Sequence, residues 1–317
     1  MIIDFHTHVH PPEDAAEPLW QGRSPMTIEN VLKAQEIGGV DISFISNPLH
    51  HLSRMDRDQQ YRAVDRSNGY LASLQAKHAS VFAFAIVVPW GGDRFLRQFE
   101  RAIKQDRMLG AWIPSSLQGQ YPDDDEALPF FQLAADLDVP VVIHPPAAAF
   151  GDERMQDYRL TSSVGRPMDN ALATARLIVR GIFEKVPNLK LVISHLGGGI
   201  CEMIGRMDYA YNLREWAFFL GPYEPLLIKH PPSHYLKKIY LESTSYHVPA
   251  ARCAVETVGA DHFIFGTDAP PMFPLKKEGV ELIRRLNLPR DEEEKVYAGN
   301  ARRLVKLDAH LPGGRAP

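Results

Sequence analysis

Eight short apolar runs rich in β-branched residues, each followed by a longer amphipathic stretch, constrain this chain more than any other feature. The runs are Met1–Phe5, Asp41–Ser46, Val81–Val88, Leu109–Ile113, Pro140–Ile143, Leu189–Ser194, Ile239–Glu242 and His262–Phe265. Helical periodicity fills the intervals at Thr27–Ile37, Arg57–His78, Asp93–Asp106, Glu126–Leu137, Met168–Lys185, Cys201–Arg214 and Pro249–Val258. It returns at Leu275–Leu286, Asp291–Val296 and Asn300–Leu307. A helix between two strands carries the chain back to the end where the first strand began, so the strands run parallel. Eight such repeats predict an α/β fold closed into a TIM-like (β/α)8 barrel, and 317 residues suit a barrel with insertions. The rhythm breaks at Pro11–Gly22 after the first strand and at Pro145–Pro167 after the fifth, which are read as those insertions. Gly221–Pro232 is a third, Pro-rich one. No linker interrupts the pattern, so residues 1–310 are read as one domain and 311–317 as a disordered tail.

The strand ends carry the chemistry. The first strand runs into His6-Thr7-His8, and residues two apart on a strand point the same way, so both imidazoles can face the barrel axis. The fifth ends at His144 in VVIHPP, the sixth at His195 in VISHLGGG, and the eighth at Asp268 in IFGTDAPP. One histidine after one strand is ordinarily structural. Four histidines and an aspartate at the mouth where barrel enzymes do their chemistry point to one divalent metal ion. Imidazole suits zinc or manganese, and a carboxylate adds an anionic ligand. A metal of this kind lowers the pKa of bound water towards roughly 7, and a neighbouring histidine can move protons in that range. Zinc is the expected ion and manganese the alternative. The remaining histidines, His10, His50, His51, His78, His230, His234, His247 and His262, are read mostly as surface residues, with His247 able to line the site.

Composition removes several other classes. A net charge of -4, from 35 basic and 39 acidic residues, points to neither nucleic acid nor an anionic membrane. No apolar run approaches the roughly 18–20 residues of a membrane span. Two cysteines far apart in sequence, and an N-terminus without a signal-like pattern, lead to the expectation of a cytoplasmic protein.

The motifs HTH, IHP, SHLGGG and GTDAP together resemble the amidohydrolase superfamily. GIFEKVPNLKLVISHLGGGICEMIGRMD and GNARRLVKL are similar to its amidohydrolase family 2 group. That group is typified by 2-amino-3-carboxymuconate-6-semialdehyde decarboxylase, γ-resorcylate decarboxylase and 4-oxalomesaconate hydratase. The resemblance implies His6, His8, His144 and Asp268 as metal ligands, with His195 as a general acid/base beside them and Asp268 sharing in proton transfer. Binuclear members carry a carbamylated lysine after the fourth strand; here that strand ends in GAWIPSS, which implies a single metal. Arg206 matches an arginine that reaches across a dimer in some relatives, which implies a homodimer.

Within this resemblance, decarboxylation of a small unsaturated or aromatic carboxylic acid is the expected reaction. Metal-dependent hydrolysis of a lactone, ester or amide is the alternative, with hydration of a double bond behind it and a non-catalytic binding barrel behind that. The HTH sequence departs from aromatic-acid decarboxylases that have Glu first, and Pro145-Pro146 departs from the muconate type. An acidic substrate calls for cations. Arg54, Arg154, Arg159, Arg166 and Arg206 are candidates, and two or more of them are expected to face the site. Tyr246, with Trp20, Trp90, Trp112, Phe150 and Tyr158, is a candidate for its wall.

Overall fold

The computed structural model describes residues 1–15, 24–48, 51–147, 149–223, 225–271 and 276–311. Trp20, His50, much of the first insertion and nearly all of the expected tail lie outside the described residues. Among the described residues nine short strands follow in chain order: β1 (Ile3–His8), β2 (Ile42–Ser46), β3 (Val81–Ala83), β4 (Ala85–Ile86), β5 (Ala111–Pro114), β6 (Val141–His144), β7 (Leu191–Ile193), β8 (Tyr240–Glu242) and β9 (Phe263–Ile264). Every pairing between neighbours is parallel. Strands β3 and β4 are two halves of one stave. Between them Phe84 donates its N–H to Ile45 O, on β2, and Ala85 donates to Gly110 O, beside β5. The last strand region returns to the first: Phe5 N–H reaches Phe265 O at 3.0 Å, Asp268 N–H reaches His6 O at 2.9 Å, and His8 N–H reaches Ala269 O at 2.7 Å. These bonds join the two ends of the strand series, which makes eight staves around one axis.

The helices form where the periodicity places them. Thr27 caps Ile28–Gly38, accepting from Asn30 N–H, and Gly39 ends it in the left-handed region. Asp56 and Gln59 form a capping box at the start of Arg57–Lys77. The predicted stretch Met168–Lys185 is two helices, Arg166–Val179 and Ile182–Lys185, because Gly181 at φ 73° turns the chain between them. One boundary bears on function: β1 includes His6 and His8 rather than stopping at Phe5, so strand geometry fixes both side chains.

Burial on both faces makes the strands nearly continuous hydrophobic runs, as parallel strands under helices require. Aromatic rings form a packed column beneath the mouth. Phe5 lies 4.9 Å from both Phe44 and Phe84, and Phe84 stacks on Trp112 at 6.2 Å. Trp112 in turn meets His6 at 5.1 Å and His144 at 5.0 Å. Core packing thus runs directly into the imidazole cluster, and the rings under the site have little room to move.

Candidate metal centre

His6, His8, His144, His195 and Asp268 converge at the C-terminal ends of the strands. The edges of the cluster are short: His6 Nε2 to His8 Nε2 is 3.1 Å, His8 Nε2 to Asp268 Oδ1 is 2.9 Å, and His6 Nε2 to Asp268 Oδ1 is 3.5 Å. Two ligands about 2.1 Å from a common ion and 90–110° apart would lie roughly 3.0–3.4 Å from each other. The edges match that spacing. Ligand atoms of His6, His144, His195 and Asp268 also lie within 4.8 Å of one another, so distance alone admits either His8 or His195 to the set.

The hydrogen bonds behind the rings say more. His6 Nδ1 lies 2.9 Å from Glu242 Oε2, and an ionised carboxylate only accepts, so the ring proton sits on Nδ1 and leaves the Nε2 lone pair facing the centre. His8 Nδ1 lies 3.0 Å from Ser46 Oγ. Ser46 gives its one hydroxyl proton to Thr7 O, so it accepts from His8, whose Nε2 lone pair also faces inward. Two inward lone pairs 3.1 Å apart in a buried site repel each other unless a proton or a metal ion lies between them. The donor set therefore fits a single divalent metal ion.

The charges agree with that reading. Burial opposes ionisation of Asp268, but the neighbouring imidazoles of His6, His195 and His8 outweigh it, holding the carboxyl well below its usual range. Burial, reinforced by the neighbouring imidazoles, pushes His144 well below an ordinary histidine. Burial also lowers His8 despite Asp268. His6 is raised instead, because Glu242 and Asp268 overcome its burial.

Glycines make this geometry possible. His195 and Leu196 adopt φ 56° and 54°, and Gly197, Gly198 and Gly199 continue the left-handed run. A Cβ on Gly198 would stand 1.7 Å from Pro167 O, so the turn lies directly on the start of the helix Arg166–Val179. A Cβ on Gly266 would meet Glu242 Oε1 at 2.5 Å, so this glycine leaves Glu242 the space it occupies behind His6. Asp4, buried beneath, accepts from both the N–H and the hydroxyl of Thr267 and so ties β1 to the loop bearing Asp268.

A cavity of about 730 Å³ opens above the cluster, bordered by His8, His144, His195, Asp268, Arg166 and Tyr246 among others. Arg166 is half-buried, and its Nε is enclosed with no hydrogen-bond partner among the described residues. Of the five candidate arginines it alone borders this cavity within the single chain. Arg54, Arg154, Arg159 and Arg206 are exposed, and Arg154 pairs with Glu153. The expectation of two or more arginines therefore falls short by one. These four belong to loops or outward helix faces, which periodicity could not orient towards the axis.

Tyr246 borders the cavity and donates to Thr267 O. Trp112 and Trp90 are buried, while Phe150 is exposed and Tyr158, 91% exposed, belongs to no wall. His247 is exposed, whereas His10, read as a surface residue, is buried against Ser24 and lowered to about 4 by that burial. Sequence reasoning missed Glu242 as a functional group. The available signal was a carboxylate ending an otherwise apolar strand, a place where an ionised side chain needs a partner.

The sequence profile of the amidohydrolase family matches residues 3–307. The 2-amino-3-carboxymuconate-6-semialdehyde decarboxylase of Dictyostelium discoideum is 29% identical over 218 residues, covering 67% of this chain and 57% of that protein. A little over half of that relative's length is therefore matched. The γ-resorcylate decarboxylase of Polaromonas sp. is 26% identical, covering 80% of this chain and 79% of the relative. Among solved structures, 5-carboxyvanillate decarboxylase from Sphingomonas paucimobilis superposes with a TM-score of 0.85 at 22% identity, covering 96% and 98% of the two chains. A dihydroxybenzoic acid decarboxylase from Polaromonas sp. JS666, with bound manganese and 2-nitroresorcinol, does so with a TM-score of 0.82 at 22% identity, covering 97% of each chain.

Proposed function

The chain belongs to the amidohydrolase family, and from that premise we propose that it is a metal-dependent decarboxylase of a small aromatic or unsaturated carboxylic acid. One observation carries the reading: Arg166, a cation with an unused and enclosed Nε, faces the same cavity as the His–Asp cluster. A guanidinium is a specific receptor for a carboxylate. Burial depresses the Arg166 pKa, and an anionic ligand would supply the opposite charge that burial withholds.

His6, His8, His144 and Asp268 would hold the ion, one per site, with zinc preferred on the three-imidazole, one-carboxylate donor set and manganese also accommodated. When bound, such an ion supplies positive charge that polarises a coordinated oxygen. Arg166 grips the carboxylate and orients the acid. Tyr246, Leu196 and Met26 border the cavity and limit water around the remainder of the substrate. His195 Nε2, 3.5 Å from Asp268 Oδ2, delivers a proton to the carbon that bears the carboxylate. The bond to the carboxyl carbon then breaks, its electron pair returns to the unsaturated system, and CO₂ departs. The proton lost by His195 is replaced from solvent.

Other features support a homodimer. Trp216, Phe218 and Phe219 are 86%, 80% and 73% exposed, just beyond the helix Ile200–Leu213 that bears Arg206. Residues 1–310 form the catalytic domain in this reading. Two free cysteines accord with a cytoplasmic site of action, and no described helix is long and apolar enough to cross a membrane.

The test is a panel of carboxylated aromatic and muconate-like acids, with lactones and esters alongside, offered to zinc- and manganese-loaded protein. CO₂ release from at least one acid is the expected result. Turnover of a lactone or ester with no CO₂ from any acid would assign the site to hydrolysis instead.

A further inference from the structure

The hydrogen bonds behind His195 are opposite in sense to those behind His6 and His8. Its Nδ1 lies 3.0 Å from Ser194 Oγ and 3.4 Å from Asn170 Nδ2. An amide nitrogen only donates. Asn170 Nδ2 also reaches Ser194 O at 3.0 Å, and a backbone carbonyl only accepts, so the orientation of the amide follows from its partner. The same nitrogen donates to Ser194 Oγ at 2.9 Å, which leaves the Ser194 hydroxyl proton free to point at His195 Nδ1. With both amide hydrogens directed at Ser194, the Ser194 hydroxyl is the donor at Nδ1, and Asn170 sets its direction. Asn170 Oδ1 is left buried with no hydrogen-bond partner, an arrangement that a flipped amide would avoid at the expense of opposing two oxygens at Ser194 O.

We propose that Asn170, acting through Ser194, is a positioning residue that keeps the resting His195 proton on Nε2, so that Nε2–H and not a lone pair faces the cavity; a second proton taken up at Nδ1, where the Ser194 hydroxyl can turn to accept, makes the imidazolium that serves as the acid. A ring that carries its proton on Nε2 has no Nε2 lone pair to give an ion. Glu242 and Ser46 impose the reverse on His6 and His8. The ambiguity that distance leaves between His8 and His195 is thereby resolved by tautomer. Asn170 lies on the helix Arg166–Val179, whose first residue is Arg166, so one helix sets both the carboxylate receptor and the state of the acid. This assignment rests on the decarboxylase reading for its role in turnover, but the tautomer itself does not.

The test compares wild type, Asn170→Asp and Ser194→Ala by nitrogen-15 NMR of the histidine rings, with His195→Gln used to assign the resonances, in metal-free and zinc-loaded protein. Wild-type His195 is expected to show a protonated, uncoordinated Nε2 in both states. Asn170→Asp replaces the donor with an acceptor and should move the proton to Nδ1. In the zinc-loaded form Nε2 should then show coordination. Ser194→Ala removes the donor at Nδ1 without adding charge and should shift the ring to a mixture of tautomers, which keeps the question decidable if Asn170→Asp does not fold. On whichever panel acid releases CO₂, Asn170→Asp should lower kcat by about 100-fold with KM changed less than about threefold. A wild-type His195 protonated on Nδ1 or coordinated through Nε2, or a ring unmoved by both substitutions, would overturn the assignment. Absence of CO₂ release beside an intact Nε2–H signature would instead reject the decarboxylase reading and leave the positioning role standing.

Discussion

Asp138 and Asp268 share a left-handed φ of 54° and sit at opposite ends of the barrel. Asp138 stands just before β6, at the closed end, with Lys190 and Lys306 as partners. Asp268 stands just past β9, at the mouth, with His6, His8 and His195 as partners. The first carboxylate meets two full cations in solvent, and its charge is already answered. Around the second, the tautomers of His6 and His8 turn lone pairs inward, so neighbours and carboxylate alike call for an added cation. The same residue type at the same φ forms a surface ion pair in one place and faces an imidazole cluster that fits a metal ion in the other. The neighbours delivered by barrel closure make the difference, in keeping with the division of such barrels into a stabilising and a catalytic end.

This contrast can be broken most decisively at the mouth. Asp268→Ala should lower CO₂ release by about 10³-fold or more, because a ligand and a proton partner vanish together. Wild-type turnover in this variant would remove Asp268 from the site. His195→Ala should lower turnover by about 10²–10⁴-fold while one equivalent of metal is retained on elemental analysis. Metal loss in step with activity would move His195 into the ligand set. Glu242→Gln should weaken metal binding by about 10–100-fold in a competition titration with a chromogenic chelator, since the amide no longer fixes the His6 ring with a charged acceptor. Unchanged affinity would show that strand geometry alone holds His6.

Arg166→Gln should raise KM for the active acid by roughly tenfold or more with a smaller change in kcat, as loss of a charge-assisted bond predicts. At the other end, Asp138→Asn should cost less than about 1 kcal/mol of unfolding free energy, because exposed ion pairs are weak. Lys190 and Lys306 overcome the modest burial of Asp138 and hold its pKa below 3.8. The folded state therefore binds this proton less readily than the unfolded chain does. The contribution is present above the unfolded value and is lost as pH falls through it towards the folded one. Denaturant titrations of both proteins should diverge at neutral pH and converge in strong acid. A difference that persists unchanged in acid would mean that Asp138 acts by packing and not by charge.

Much of this was legible in the sequence. The eight runs of Val, Ile and Leu determined a parallel barrel, because hydrophobic periodicity is a local property that survives without knowledge of partners. The positions of His6, His8, His144, His195 and Asp268 after those runs determined that five ionisable groups would meet at one mouth, because a parallel barrel brings all its strand ends to one side. What each group does there was decided only by the tertiary structure. Glu242 is 236 residues from His6, Ser46 is 38 from His8, and Asn170 is 25 from His195. Arg166 differs from Arg54 and Arg206 in burial, not in sequence chemistry. An imidazole is ligand or acid according to which nitrogen keeps its proton. That choice belongs to a hydrogen-bond partner which only barrel closure brings within 3 Å or so.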